Sequence, residues 1–140
     1  MAYATQKPPI SIYQSEYARL SRLAEALPRS NSDLAEQFFT ELLRADVISD
    51  DTACRVVRMG SRIRYETGAG ETRTVTLVYP HDEDIAADRV SILTPIGVAL
   101  IGLREGDEMS WRARDGRVAQ LRVDWIDTHE PAKADSGLVA

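Results

Sequence analysis

Three clusters of side chains in this 140-residue chain have the types from which chemistry is usually made. Pro80-His-Asp-Glu-Asp84 sets an imidazole beside three carboxylates, the ingredients of a general base and the acids that orient it. Its polar, turn-forming surroundings make His81 read as a solvated loop residue instead. Cys54 is the one thiol; as a nucleophile it would need a lowered pKa, and Arg55 alone is too little positive charge for that. Asp33-Leu-Ala-Glu36 places two carboxylates three residues apart, just after Pro28-Arg-Ser-Asn-Ser32. By spacing this is a capping box, in which Asp33 or Ser32 caps a helix and Glu36 reaches back to it. One cysteine and two histidines, His81 and His129, leave no intrachain disulfide and no ligand set for a structural metal. No catalytic residue, metal or cofactor is expected, so the chain reads as a binding protein and not as an enzyme.

The elements around these groups follow from period. Tyr17, Leu20, Leu23, Ala24 and Leu27 recur at three- and four-residue steps, which predicts an amphipathic helix from about Ser15. Beyond the Pro28–Ser32 turn, Leu34, Phe38, Leu42 and Ala45 form a second stripe, with Phe39 and Leu43 beside it. Two helices joined by so short a turn predict an antiparallel hairpin. Ahead of them, Ile10 and Ile12 alternate with Ser11 as a short extended stretch.

After Ser49-Asp50-Asp51 the period falls to two. Ile63 and Tyr65 alternate across Gly68-Ala69-Gly70 with Val75, Leu77 and Tyr79, a hairpin with one apolar face. Arg89 to Leu93 is a further short strand. Met109, Trp111 and Ala113 turn at Asp115-Gly116 into Ala119, Leu121, Val123 and Trp125, and both tryptophans read as core. Between these strands Thr94 suits an N-cap and Pro95 the first helical position. Ile96, Ala99, Leu100 and Leu103 then fall on one face of a short helix that crosses the sheet, stopped by Gly102 or Glu105-Gly106-Asp107. Val98 and Ile101 point elsewhere, either under loops or into a small exposed apolar patch. The fold class is α+β. The expected divisions are a helical hairpin at 1–50, a sheet domain at 51–128 and a flexible tail at 129–140.

A formal charge of −5 speaks against a dedicated nucleic-acid binder. Arg62, Arg64, Arg112, Arg114 and Arg122 lie on polar strand faces, but residues 55–127 hold 11 basic against 12 acidic side chains. They read as a solvated sheet face, with an acidic protein rim as the other target. Fifteen of the 17 basic residues are Arg, which fits genomic base composition. The start, MAYATQKPPI, has no apolar core of signal-peptide length, and no segment has the apolar length of a membrane span. A cytoplasmic, reduced setting with no membrane contact is expected.

Val90-Ser-Ile-Leu-Thr-Pro-Ile-Gly-Val-Ala-Leu-Ile-Gly102 followed by Gly106-Asp107-Glu108 resembles the C-terminal signature of the GreA/GreB-type elongation factors. Val57-Arg-Met-Gly-Ser61 resembles the opening of their globular domain. Thr76-Leu-Val-Tyr-Pro80 is closer to one branch, the Rnk-type regulators of nucleoside diphosphate kinase. The resemblance covers about residues 55–127 by motif and the hairpin by architecture. It implies an FKBP-like globular domain with a short coiled coil projecting from it, docked on RNA polymerase at the rim of the secondary channel. The family's docking loop falls on Thr94, Pro95 and Ile96, with Val98 and Ile101 as apolar support. Leu93 stands where the family has an acidic or amide residue.

Gre factors carry an Asp and a Glu at the coiled-coil tip, where they help hold a second metal ion; the matching spacing here is Asp33 and Glu36. A helix from Ser15 to Leu27 is only about 20 Å long. The resemblance therefore implies channel binding without stimulation of transcript cleavage, in competition with Gre factors and without sequence-specific contact to nucleic acid. Two other readings follow from it. One is direct regulation of a soluble enzyme such as nucleoside diphosphate kinase, an effect that could also be indirect through transcription. The other is FKBP-like prolyl isomerisation, for which the residues offer no aromatic-lined pocket, since Phe38 and Phe39 both lie in the hairpin.

Overall fold

The computed structural model describes residues 7–112 and 117–127. The chain enters as β1 (Ser11–Tyr13) and passes directly into α1 (Gln14–Glu25). A 3-10 turn at Arg29–Asn31 leads to α2 (Ser32–Arg44) and then β2 (Asp46–Ile48). The β3 (Arg62–Thr67), β4 (Thr72–Val78) and β5 (Arg89–Ser91) strands follow. Then come α3 (Pro95–Leu100), β6 (Glu108–Arg112) and β7 (Val118–Asp127). The β-strands make a five-stranded sheet in the order β5-β4-β3-β7-β6 and a separate pair, β1-β2. All neighbours in the large sheet are antiparallel except β4 and β5. This is a mixed helix-and-sheet fold, with the helices and the strands of the large sheet where the two periods predicted them; β2 was not expected. The expected Asp115-Gly116 turn, with Ala113 and Arg114, lies outside the described residues, as does the 129–140 tail.

The parallel pairing of β1 with β2 was not expected. It joins residues 35 positions apart, Ser11 opposite Asp46 and Tyr13 opposite Ile48. The two ends of the helical pair are thereby clamped together. Gly102 lets this clamp approach the rest of the molecule: its φ is 81°, and a Cβ there would lie 2.8 Å from that of Ile10. The Ser11 N–H donates to the Gly102 carbonyl, and the Gly102 N–H to the Val57 carbonyl.

The core is continuous from helices to sheet. Leu20 and Ala24 of α1 and Leu34, Phe38 and Leu42 of α2 are buried in one cluster with Ile63, Leu77, Met109, Val123 and Ile126. Burying each large apolar side chain contributes about 1.5–3 kcal/mol. α3 lies between α2 and β6, so it is covered on both sides. Val98 and Ile101, expected either under loops or in an exposed apolar patch, are 0% and 1% exposed, so the exposed patch does not form. Only the start of α3, at Pro95 and Ile96, reaches the surface; Gly97 to Leu100 are buried.

Trp125 is the second correction. It is 40% exposed, while the next residue, Ile126, is fully buried. The register explains this: Arg64 pairs with Trp125 but Tyr65 pairs with Val123, leaving Asp124 as an extra residue in β7. Such a bulge shifts the alternation by one, turning Trp125 outward and Ile126 inward. Trp111 keeps the expected face, partly buried against the core.

Candidate functional site

The segment Ser91–Gly97 is held by its own hydrogen bonds. The Ser91 hydroxyl accepts from the Leu93 N–H at 2.9 Å, and the Thr94 hydroxyl donates to the Ser91 carbonyl at 2.8 Å. Thr94 also accepts from the Gly97 N–H at 3.0 Å, the N-cap that its position before Pro95 predicted. Gly97 is needed for this approach, because a Cβ there would sit 2.4 Å from the Ser91 carbonyl oxygen. Leu93, Thr94, Pro95 and Ile96 are left half-buried, forming a rigid ledge at the surface. Its support from the helical pair is direct: Gln37 of α2 donates to the Pro95 carbonyl at 3.1 Å.

That bond also sets the place of Asp33 and Glu36. Both are exposed on the first turns of α2, and Gln37 is the residue after Glu36. Asp33 precedes Gln37 by four residues, about 6 Å of helix. Along α2, Asp33 is about one turn from the residue that bonds the ledge, and Glu36 is next to it. The capping box is absent: Asn31 occupies the N-cap position and no side chain caps the helix. Asp33 instead lies in the first turn, where a carboxylate suits the helix dipole. Among the described residues no group of three or more His, Cys, Asp or Glu side chains could hold a metal ion.

α2 is anchored more strongly at its other end. Glu41 is 1% exposed, on the apolar stripe three residues from Phe38. Its carboxylate meets Arg44 at 2.8 Å and Lys7 at 3.2 Å. Arg44 in turn donates to the Pro8 carbonyl and lies 3.9 Å from the Met109 sulfur. Helical period alone passes over this cluster, although a lone Glu on an apolar stripe is itself a signal that a buried partner waits.

Two further acids tie segments together. Glu16 of α1 accepts from Arg58 at 3.1 Å and from the Met59 N–H at 3.2 Å. Burial raises its pKa, against the opposing pull of Arg58 and that N–H. The Arg58 guanidinium also lies over the Tyr13 ring at 4.2 Å, and Arg19 lies over Tyr79 at 3.8 Å. Glu105 accepts from the Ile126 N–H at 2.8 Å, which lowers its pKa, with Arg55 assisting. His81 is well exposed and meets the Asp82 carboxylate at 3.4 Å, in keeping with its loop setting. The backbone N–H of Cys54 donates to the Tyr13 hydroxyl, and its thiol is free.

A ledge carried on a short helix beneath paired helices, against a five-stranded sheet, defines a class. Residues 52–127 match the family model described as the C-terminal domain of the transcription elongation factors GreA and GreB. The chain belongs to the GreA/GreB family. Residues 8–48 match the Rnk N-terminus, which places the helical pair in the Rnk-type branch. The regulator of nucleoside diphosphate kinase of Escherichia coli K12 is 31% identical over 131 residues, 92% of this chain and 96% of that one. Transcription elongation factor GreA of Desulfovibrio desulfuricans is 34% identical over 79 residues, 56% of this chain but only 46% of its own length. A solved GreA/GreB elongation factor from Nitrosomonas europaea superposes with a TM-score of 0.65 at 35% identity, covering 86% of this chain and 98% of that one. Among the described residues no helix is long and apolar enough to cross a membrane.

Proposed function

We infer that this protein regulates transcription by binding RNA polymerase at the rim of the secondary channel, without supporting transcript cleavage. The ledge at Leu93–Ile96 is the observation that carries this reading. It is preorganised by the Ser91 and Thr94 hydroxyls, presents Thr94, Pro95 and Ile96 to a partner, and coincides with the family's docking loop. Val98 and Ile101 support it from within the core and touch no partner. Residues 1–50 act as a short helical plug and 51–128 as the FKBP-like docking domain, in the cytoplasm.

The absence of cleavage follows from reach. α1 has 12 residues and α2 has 13, so each is about 18–20 Å long. Both share their core with the sheet, and Asp33 and Glu36 lie within about a turn, along α2, of Gln37, which bonds the ledge. Two carboxylates held so close to the rim cannot deliver a metal ion to a distant active centre. The protein then acts by occupancy, excluding longer-armed factors from the same entrance.

The test is binding of labelled protein to purified core RNA polymerase, with and without excess GreA. Displacement by GreA supports the shared site. No binding at tens of micromolar overturns it and moves a second reading forward. The name of the Escherichia coli relative favours that second reading, direct regulation of nucleoside diphosphate kinase. Complex formation with the purified kinase, in the absence of polymerase, would establish it.

A further inference from the structure

We propose that the outer face of the five-stranded sheet binds single-stranded nucleic acid without sequence preference, stacking a base on Trp125 and meeting phosphates with Arg62, Arg64 and Arg89. The bulge at Asp124 is the device that builds this surface, since it alone turns the indole outward. Cross-strand register then sets its neighbours. Arg64 is directly opposite Trp125 on one side and Thr74 on the other. Arg62 is opposite Thr76, and Thr76 is opposite Arg89. Opposed residues share a face, so Arg64 lies beside the exposed ring and Arg62, opposite Asp127, lies two residues along β3. Thr74, Thr76 and Arg89 continue the face across the next two strands, with Arg89 about 14 Å from β7 at about 4.8 Å per strand.

Three observations choose the occupant. Arg44, Arg55, Arg58 and Arg122 are each committed to a carboxylate, whereas Arg62, Arg64 and Arg89 hold no ion pair among the described residues. Exposed guanidinium groups without internal partners suit an anionic ligand. Trp125 also stands apart from the other exposed large apolar side chains. Phe39, Leu43, Val47 and Ile85 belong to other elements, and Val118 is seven residues away along β7, about 23 Å. A protein-protein anchor would be ringed by apolar contacts; the cross-strand neighbour of this ring on β3 is Arg64. Among nucleic acids, an open indole suits a single strand, whose base faces are unstacked, and not a duplex, whose bases are already stacked.

The net charge of −5 and the neighbouring Glu66, Asp124 and Asp127 oppose long-range attraction, so the contact is weak and short-ranged. It is separate from the Leu93–Ile96 ledge and does not depend on polymerase binding.

The test uses the full chain and a fluorescein-labelled 12-nucleotide oligouridylate RNA, followed by anisotropy without polymerase. Binding is expected at about 10–100 µM in low salt, with affinity falling as salt rises. Trp125→Ala should weaken it about tenfold or more, while Trp125→Phe should retain most of it. Arg62→Gln with Arg64→Gln should flatten the log–log salt slope by about 1.4, near 0.7 for each phosphate left without its arginine. Any of four results overturns the proposal: no binding, equal affinity for a duplex of the same length, equal displacement by oligoglutamate, or an unchanged affinity in Trp125→Ala. Oligoglutamate displacement would mark the face as a site for acidic protein segments. Circular dichroism of each variant separates loss of binding from loss of fold.

Discussion

The two ends of α2 carry acids of opposite character. At its start Asp33 and Glu36 have the spacing of a metal-holding pair, yet they are exposed, and among the described residues no third ligand joins them. Toward its end Glu41 is buried and held by Lys7 and Arg44. The difference teaches that carboxylate spacing is poor evidence of chemistry when burial and partners are unknown. The acids that look functional rest on the surface, and the acid that looks incidental fastens the helix to Lys7 and, through Arg44, to Pro8 and Met109.

The strongest way to break that contrast is Glu41→Ala. It strands two cations around a buried hole, and a loss of about 2–3 kcal/mol is expected in urea denaturation, somewhat below a fully buried pair because Lys7 and Arg44 remain partly wet. A loss under about 1 kcal/mol would mean that the cluster does not anchor α2. Next in size is the ledge that α2 supports through Gln37. Pro95→Asp should weaken polymerase binding about tenfold, near 1.4 kcal/mol, with little change in stability. Unchanged affinity would remove the ledge from the docking surface.

A smaller effect sharpens the comparison with two other acids. Glu16 has a pKa raised by burial, so its contribution is fully present below its usual value of 4.5 and is lost as pH rises through the raised value. Glu105 is shifted the other way by the Ile126 N–H; its contribution is present above 4.5 and is lost as pH falls through the lowered value. Relative to the wild type, Glu16→Gln should therefore gain stability with rising pH, and Glu105→Gln should gain with falling pH. Urea midpoints between about pH 3 and 7 read both slopes, and slopes of the same sign would refute the assignment.

The smallest change is expected from Asp33→Asn with Glu36→Gln. Stability should stay within about 0.5 kcal/mol, and transcript cleavage by stalled polymerase complexes should match that with the unaltered protein. Cleavage stimulated by the wild type and abolished in the double variant would restore a metal role to this end of α2.

Much of the architecture was legible in the residues. The Leu20/Ala24 and Leu34/Phe38/Leu42 stripes, the β3–β4 alternation and the Thr94-Pro95 helix start are local patterns, and local patterns survive in one dimension. Of the candidate site, Thr94, Pro95 and Ile96 stand at the surface, while Val98 and Ile101 do not. Their burial depends on α2 lying over α3, a long-range packing that no period within α3 records. Trp125 was misplaced for a related reason. Alternation assumes an unbroken register, and the extra residue at Asp124 becomes visible only against its partner strand.

The sequence by itself determined the helices, the strands of the large sheet, most of their apolar faces and the family, because propensity, period and motif are properties of neighbouring residues. Tertiary structure alone decided that β1 and β2 clamp the helical pair, that Glu41 is buried between Lys7 and Arg44, and that an indole faces outward beside Arg64, which holds no ion pair among the described residues. Each of these depends on which distant segment supplies the partner. Pairing geometry and burial arise only when the chain closes on itself.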